Sequence, residues 1–353
     1  MQQIYFVNSR AEVSDHSKWF QPKLSLTRKL ERLIDESGTL DFIDKGDVVA
    51  VKTHFGERGT TRYLRPVYVR KVVDAVKERG GRPFVTESTG LGMVKDRTTA
   101  LGRLITAEEN GFTQQTVNAP IVVADGIKGF DYIEVDVDGK HLDKVKVAKA
   151  IADADSMVCA THFKLHMVAG MGGSIKNVGV GCVAKPSKFD VHCPDLPVIN
   201  ENCDECDECV EICPTNAIVD YQVVKERCIK CGGCDEVCKN NAIDLTWLNG
   251  TPICERIAEC AAGVLKTIDR TAYLNFFLDV TPHCDCHPYA DNPIVPDLGV
   301  FASNDIVAID QASYDAFLKR SNNPWEDSDP LAQITHLKEL GVGDTQYQMR
   351  DIT

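Results

Sequence analysis

Apolar positions recur along this chain at two periods, one near 2 and one near 3.6, and the two alternate. Ile4–Val7 reads as a first strand. A helix over Leu24–Asp35 follows, with Leu26, Leu30, Leu33 and Ile34 on one face. Asp47–Lys52 carries the continuous apolar run of a strand buried on both faces. Pro66 opens a helix at the position that tolerates proline. Its stripe is Val69, Val72, Val73 and Val76, and Gly80-Gly81 closes it. Arg82–Thr86 is the next strand and runs into Glu87. Thr99–Asn110 reads as a helix with Leu101, Leu104 and Ile105, stopping at Gly111. Ile121–Ala124 and Ser156–Ala160 are strands, with a hairpin between them. Its arms are Ile133–Val137 and Lys144–Val147, and its turn is Asp138-Gly139. Beyond residue 250 the style resumes. Thr251–Lys266 is helical, Tyr273–Val280 is strand-like, and Ile306–Ile309 leads into a helix through Ala316. Leu331–Leu340 is helical and ends at Gly341. The alternation predicts an α/β fold with a largely parallel sheet and flanking helices.

Residues 200–250 break this pattern. Cys203, Cys206, Cys209 and Cys213 follow the spacing C-x2-C-x2-C-x3-C, and Cys228, Cys231, Cys234 and Cys238 repeat it. That spacing presents soft thiolates around a compact core and belongs to paired [4Fe–4S] clusters, in which the fourth cysteine of each run serves the other cluster. One cluster is assigned to Cys203, Cys206, Cys209 and Cys238, and the other to Cys228, Cys231, Cys234 and Cys213. Zinc ribbons use pairs of cysteines, and disulfides need an oxidising compartment; neither suits runs of four. Ala217-Ile218 and Ala242-Ile243 sit four residues beyond each run, marking two halves of a pseudo-symmetric α+β module. Pro214 follows the first run and Lys239 the second, which predicts a cation beside one cluster and a different environment there. The organisation expected is 1–199 as the first part of the α/β body, 200–250 as the inserted ferredoxin module, and 251–353 as the second part.

The formal net charge of −13 over 353 residues argues against a nucleic-acid partner. It favours a redox partner protein with a basic docking surface. Asp204, Glu205, Asp207, Glu208 and Glu211 crowd the first run; they read either as a solvated loop or as the docking face. There is no basic leader before an apolar core and no apolar run of about 18 residues, so neither a signal peptide nor a membrane span is expected. Fifteen cysteines then point to a reducing cytoplasm. No oligomeric state follows.

Further chemistry gathers where strands end, the place where open α/β sheets bind ligands. Lys52 and His54 follow one strand and Glu87 another. Lys164 and His166 follow a third, with Lys176 soon after. These six residues form a candidate catalytic rim suited to an anionic small molecule. Gly170, Gly172, Gly173 and Asn177 suggest a backbone cradle for such a ligand, or else the glycines here serve tight turns and close packing. Gly179-x-Gly181-x-x-Ala184 formally matches a dinucleotide fingerprint but shows no clear following helix, so a nucleotide is not expected. Pro282-His283-Cys284-Asp285-Cys286-His287 places soft ligands side by side. Cys284 and Cys286 are candidates for a third site holding zinc or iron, with helpers sought among Cys159, Cys182, Cys193 and His192; the alternative is reduced, buried thiols. Cys254 and Cys260 read as core.

Several segments together resemble one family. They are Lys52-Thr-His-Phe-Gly-Glu57, Asn110-Gly-Phe112, Ala124-Asp-Gly126, His162-Phe-Lys164-Leu-His166 and Gly172-Gly-Ser-Ile-Lys-Asn177. Asp279-Val-Thr-Pro-His-Cys-Asp-Cys286 and Ala302-Ser-Asn-Asp-Ile-Val-Ala-Ile-Asp310 continue the likeness. The pattern is similar to the iron–sulfur centre proteins built on domain of unknown function 362 with an inserted ferredoxin module. The resemblance spans nearly the whole chain and implies an anaerobic source. It implies no reaction. Leu165, where glycine is common, and Lys239 depart from it.

Three functions are compatible with this reading. The first is an iron–sulfur electron-transfer protein that delivers low-potential electrons to a site on its body or to a partner. The second is a reductase, an oxidoreductase acting on an anion or cofactor held at the rim. The third is a metallocentre maturation or scaffold protein using Cys284 and Cys286.

Overall fold

The computed structural model describes residues 1–353. In chain order it opens with β1 (Gln2–Asn8), α1 (Leu26–Ser37), β2 (Val48–Lys52), α2 (Pro66–Glu78) and β3 (Arg82–Glu87). Next come α3 (Ala100–Glu109), α4 (Gln114–Val117), β4 (Ile121–Val123), β5 (Tyr132–Asp136), β6 (Lys144–Ala148) and α5 (Lys149–Ala152). β7 (Ser156–His162), β8 (Lys164–His166), β9 (Gly170–Gly172), α6 (Ser174–Gly181) and α7 (Lys185–His192) follow. Residues 198–244 hold β10 (Val198–Ile199), α8 (Glu208–Ile212), β11 (Ile218–Val219), β12 (Gln222–Val223), α9 (Gly233–Val237) and β13 (Ile243–Asp244). The chain ends with α10 (Thr251–Leu265), β14 (Thr271–Phe277), β15 (Gly299–Ser303), α11 (Ile306–Leu318), α12 (Pro330–Glu339) and β16 (Tyr347–Asp351).

Eight strands form one sheet in the order β16-β1-β15-β14-β7-β2-β3-β4. Only β15 runs antiparallel to its neighbours; the other pairings are parallel. The fold is therefore α/β with a mostly parallel sheet. Helices cover both faces, which is why β7 is buried at every residue. Alternation sorts its side chains: Met157 and Cys159 enter the core beneath α6 and α10, while Val158 and Ala160 enter the core beneath α1 and α2. Val69, Val72, Val73 and Val76 are fully buried in the second core, each contributing about 1.5–3 kcal/mol. No helix is long and apolar enough to cross a membrane.

The structure differs from the sequence reading in several places. In α3 the expected stripe of Leu101, Leu104 and Ile105 is exposed, and three further differences concern the elements themselves. The β5–β6 arms are not joined by a tight Asp-Gly turn. The connection is longer and wraps the buried Glu259 carboxylate, which accepts from the backbone N–H of Lys140 (2.8 Å), His141 (3.1 Å) and Leu142 (2.8 Å). Second, the strand expected over Tyr273–Val280 lies earlier, at Thr271–Phe277. Third, the glycine-rich stretch after β9 is the helix α6, not an open loop. Gly179 lets α6 and α10 approach closely: a Cβ there would collide with the carbonyl oxygen of Ile257. Gly179→Ala is thus expected to lower stability by about 1–3 kcal/mol, even though alanine is the better helix former by ~1 kcal/mol. Denaturant unfolding reads the difference.

Candidate functional site

The C-terminal ends of β2, β3 and β7 meet in a buried polar network. Lys52 closes β2; its ammonium donates to the Thr53 carbonyl (3.0 Å) and to Oδ1 of Asn177 (2.8 Å). His54 Nδ1 lies 2.7 Å from Oε2 of Glu87, which closes β3. Arg103, on α3, pairs with Glu87 and donates to Glu57 (2.9 Å) and to the Gly56 carbonyl (3.0 Å). Arg97 approaches Glu57 at 3.4 Å and also donates to the Cys286 carbonyl at 3.4 Å. Burial pushes the Glu87 carboxyl up, but Arg103, His54 and Lys52 outweigh it and hold the group well below the usual carboxylate range. A depressed native pKa stabilises the fold above the unfolded value, near 4.3, and that stability is lost as pH falls through the native value. Glu87→Gln is therefore expected to destabilise the chain at neutral pH. The gap from wild type should close on acidification below about pH 4, as followed by urea midpoints.

Beside this network lies a second group of residues. Asp285 is buried, with Lys164 Nζ at 2.8 Å and His162 Nδ1 at 3.3 Å. Burial raises the Asp285 carboxyl, yet Lys164 and His162 bring it well below its ordinary value. Cys284 and Cys286 flank it. The hydrogen bond from Cys284 brings Cys286 down to about 6 against burial, with Lys176 and Arg97 assisting. Burial leaves the Cys284 thiol at about 12. One ligand atom each of His166, Cys286 and His287 lie within 4.8 Å of one another. Burial, and then Lys176, push His166 down to about 3, so its ring is neutral at ordinary pH. The charge of Lys176 acts on His166, Cys284, Cys286 and His287, while Asp285 pairs with Lys164 and His162.

The eight cysteines of the two runs line two cavities. Cys213, Cys228, Cys231 and Cys234 line one; Cys203, Cys206, Cys209 and Cys238 line the other. The two runs are copies in backbone as well as spacing. Cys213 and Cys238 share φ −71° and ψ 109°. Each sulfur accepts from the N–H four residues on, Ala217 and Ala242, at 3.2 Å. Positive φ recurs at equivalent positions, Glu205 and Lys230, then Asn216 and Asn241.

The second run is clamped to the body. The Glu236 carboxylate accepts from the backbone of Val94 and Lys95, both at 2.8 Å, and Gly92 N–H donates to the Cys231 carbonyl at 2.8 Å. Lys230 pairs with Asp190 of α7.

Residues 49–315 match the sequence pattern described as a domain of unknown function, DUF362. The chain belongs to the DUF362 family. A thylakoid-associated protein of Synechocystis sp. is 29% identical over 165 residues, 45% of this chain. The match spans 46% of that relative, so this chain covers under half of its length. A solved structure, the lactate racemase apoprotein from Thermoanaerobacterium thermosaccharolyticum, is similar at 14% identity and TM-score 0.41, over 79% of this chain and 51% of that one.

In this DUF362 chain the six expected rim residues divide between two places. Lys52, His54 and Glu87 belong to the inner network; Lys164, His166 and Lys176 surround the Cys284–His287 segment. The glycine cradle is corrected. Gly170 and Gly172 are strand residues, and the first free N–H groups of α6 are already taken by the buried Asp310, from Ser174 at 2.7 Å and Ile175 at 2.8 Å. A Cβ on Gly173 would strike that carboxylate. Asn177 holds Lys52 and donates to Thr161 Oγ1 at 3.0 Å. The dinucleotide-like match also falls: a helix, α7, does follow it, but Gly179 and Gly181 lie inside α6 and not in a strand-to-helix turn.

The expected helpers of Cys284 and Cys286 are corrected too. Cys159, Cys182 and Cys193 are buried thiols elsewhere, and Cys182 packs against Met157. His166 takes that place, brought from the β8–β9 hairpin. Lys239 stands beside the outward cysteine set, as expected: its exposed side chain pairs with Glu208, which lines that cavity, and its charge reaches Cys206. Leu165 is core, opposite Met171. Arg97 and Arg103 went unread in the sequence because single arginines on polar segments carry no pattern.

Proposed function

We propose that this DUF362 chain is an iron–sulfur electron-transfer protein, with residues 200–250 a ferredoxin-type module inserted between 1–199 and 251–353. One observation carries the reading. The two cavities divide the eight cysteines into sets of four, and each set takes its fourth member from the other run. That division is the one a pair of [4Fe–4S] clusters requires. Cys203, Cys206, Cys209 and Cys238 would hold one cluster; Cys228, Cys231, Cys234 and Cys213 would hold the other. Such clusters, when bound, supply one-electron chemistry at potentials set by hydrogen bonds to sulfur and by exposure. The N–H groups of Ala217, Ala242 and Gly233 that reach cysteine sulfurs are the chain's means of tuning it.

The two sets differ in position. The set containing Cys231 lies against α7 and the segment 92–95 of the body. The set containing Cys206 faces outward, among Asp204, Asp207 and Glu208. A redox partner protein with a basic surface would meet the chain at this outward set. The body-facing set would serve the site around Lys164, Asp285 and Cys286. A specific observation favours a reductase as the second reading: the charge of Lys176 reaches Cys286 and His287 and no carboxylate is paired to it, as the recognition of an anionic substrate needs.

Anaerobic purification, with iron and acid-labile sulfide counted and EPR recorded after reduction, tests the proposal. About eight irons per chain with two interacting reduced signals are expected. Zinc in place of iron, or cysteines free of metal after anaerobic reconstitution with iron and sulfide, would exclude it.

A further inference from the structure

Outside the two cysteine runs, the segment between β14 and β15 meets the β8–β9 hairpin at a spot that carries its own chemistry. We infer that Cys286, His287 and His166 form a site for one divalent first-row transition-metal ion, separate from the eight-cysteine module. Three observations converge. The ligand atoms already lie within 4.8 Å of one another, close to what a single ion spans. Nε2 of His287 is buried with no hydrogen-bond partner, and so is Nδ1 of the neighbouring His283. A buried imidazole nitrogen left without a partner is costly unless something binds it. Finally, the Asp285 carboxylate is already paired with Lys164 and His162, which leaves Cys286 and the histidines as the donors at this spot.

The donor set, two imidazoles and one thiolate, suits zinc or iron and not magnesium or calcium. Three protein ligands leave a position open for water or substrate. The charge of Lys176 reaches Cys286 and His287, so an anion bound to the metal would meet a favourable field. His166 is the weakest of the three ligands. Its Nδ1 accepts from the N–H groups of Val168 and Ala169 at 3.1 Å each, so the neutral ring carries its proton on Nε2, and binding a metal there releases that proton to solvent and leaves an imidazolate. Cys286 supplies the charge and His287 the free nitrogen.

The site does not depend on the cluster reading, and the experiment separates the two. Untagged protein, purified anaerobically with its iron in place, is exposed to Zn2+, dialysed, and analysed for zinc and iron together with the zinc K-edge absorption. Wild type should retain about one zinc per chain, with one sulfur and nitrogen ligands. Cys286→Ser and His287→Gln should each lower retention at least about tenfold, with iron content unchanged as evidence of intact folding. Absence of retained zinc in wild type overturns the inference, as does retention unaffected by both substitutions. A four-sulfur zinc environment also overturns it, and if iron is missing as well, the zinc sits in the cysteine runs and the cluster reading fails too.

Discussion

Cys213→Ser and Cys231→Ser, singly or together, are expected to leave the chain with the same iron content, about four atoms in place of about eight. The two residues belong to different sequence runs but line the same cavity. Once one ligand is lost and its cluster with it, losing the second removes nothing more. Combining Cys213→Ser with Cys206→Ser should instead remove nearly all iron, although both residues come from the same run. Non-additivity of this kind shows which residues act as a unit. Iron analysis and visible absorption of the four variants decide the matter. The crossed assignment fails if Cys213→Ser plus Cys231→Ser loses everything while Cys213→Ser plus Cys206→Ser keeps half. The body should stay folded in every case, because no strand of the large sheet and no buried residue of its two cores comes from 200–250.

The second large effect lies in the inner network. Arg103→Met is expected to cost about 3–5 kcal/mol, since removing one partner of a buried ion pair leaves an uncompensated charge. Arg103 is 2% exposed and serves two acids, Glu57 and Glu87, as well as the Gly56 carbonyl. Without it, Glu87 keeps His54, the Phe55 N–H at 3.4 Å and the more distant Lys52. Adding Glu87→Gln to Arg103→Met should restore part of the loss, because a neutral amide needs no cation. Urea unfolding of the single and double variants measures the coupling. A cost below about 1 kcal/mol for Arg103→Met would mean that water reaches the acids and the network is not sealed. The same network joins α3 to the Cys286 carbonyl through Glu57 and Arg97. Activity lost in Arg103→Met would therefore not identify Arg103 as a group that touches substrate.

The elements that periodicity predicted well are those with a one-sided apolar stripe. In α2, Pro66 and the valines sit at the first turn and on the buried face as spacing demands. In α6, five of the eight residues that form the helix are Gly, Ser, Lys or Asn, so no stripe exists to be read. Its N-terminus depends on Asp310, more than a hundred residues further on. β15 and β16 were missed for a related reason: Gly299–Ser303 is short, Tyr347–Asp351 is largely exposed, and each becomes a strand only by pairing beside β1.

By itself, the sequence determined the α/β character, the two cysteine runs, and the residue types from which a site would be built. Those properties are local, because C-x2-C-x2-C spacing and apolar period act within a few residues of chain. Tertiary structure decided which residues share a site. It placed His166 with Cys286 and His287, across more than a hundred residues, and gave Lys52 to Asn177. It also closed the glycine cradle by seating Asp310 at the N-terminus of α6. Buried charges and lone pairs must find partners wherever the fold brings them, so their pairing is a property of the packed sheet and not of any one stretch of chain.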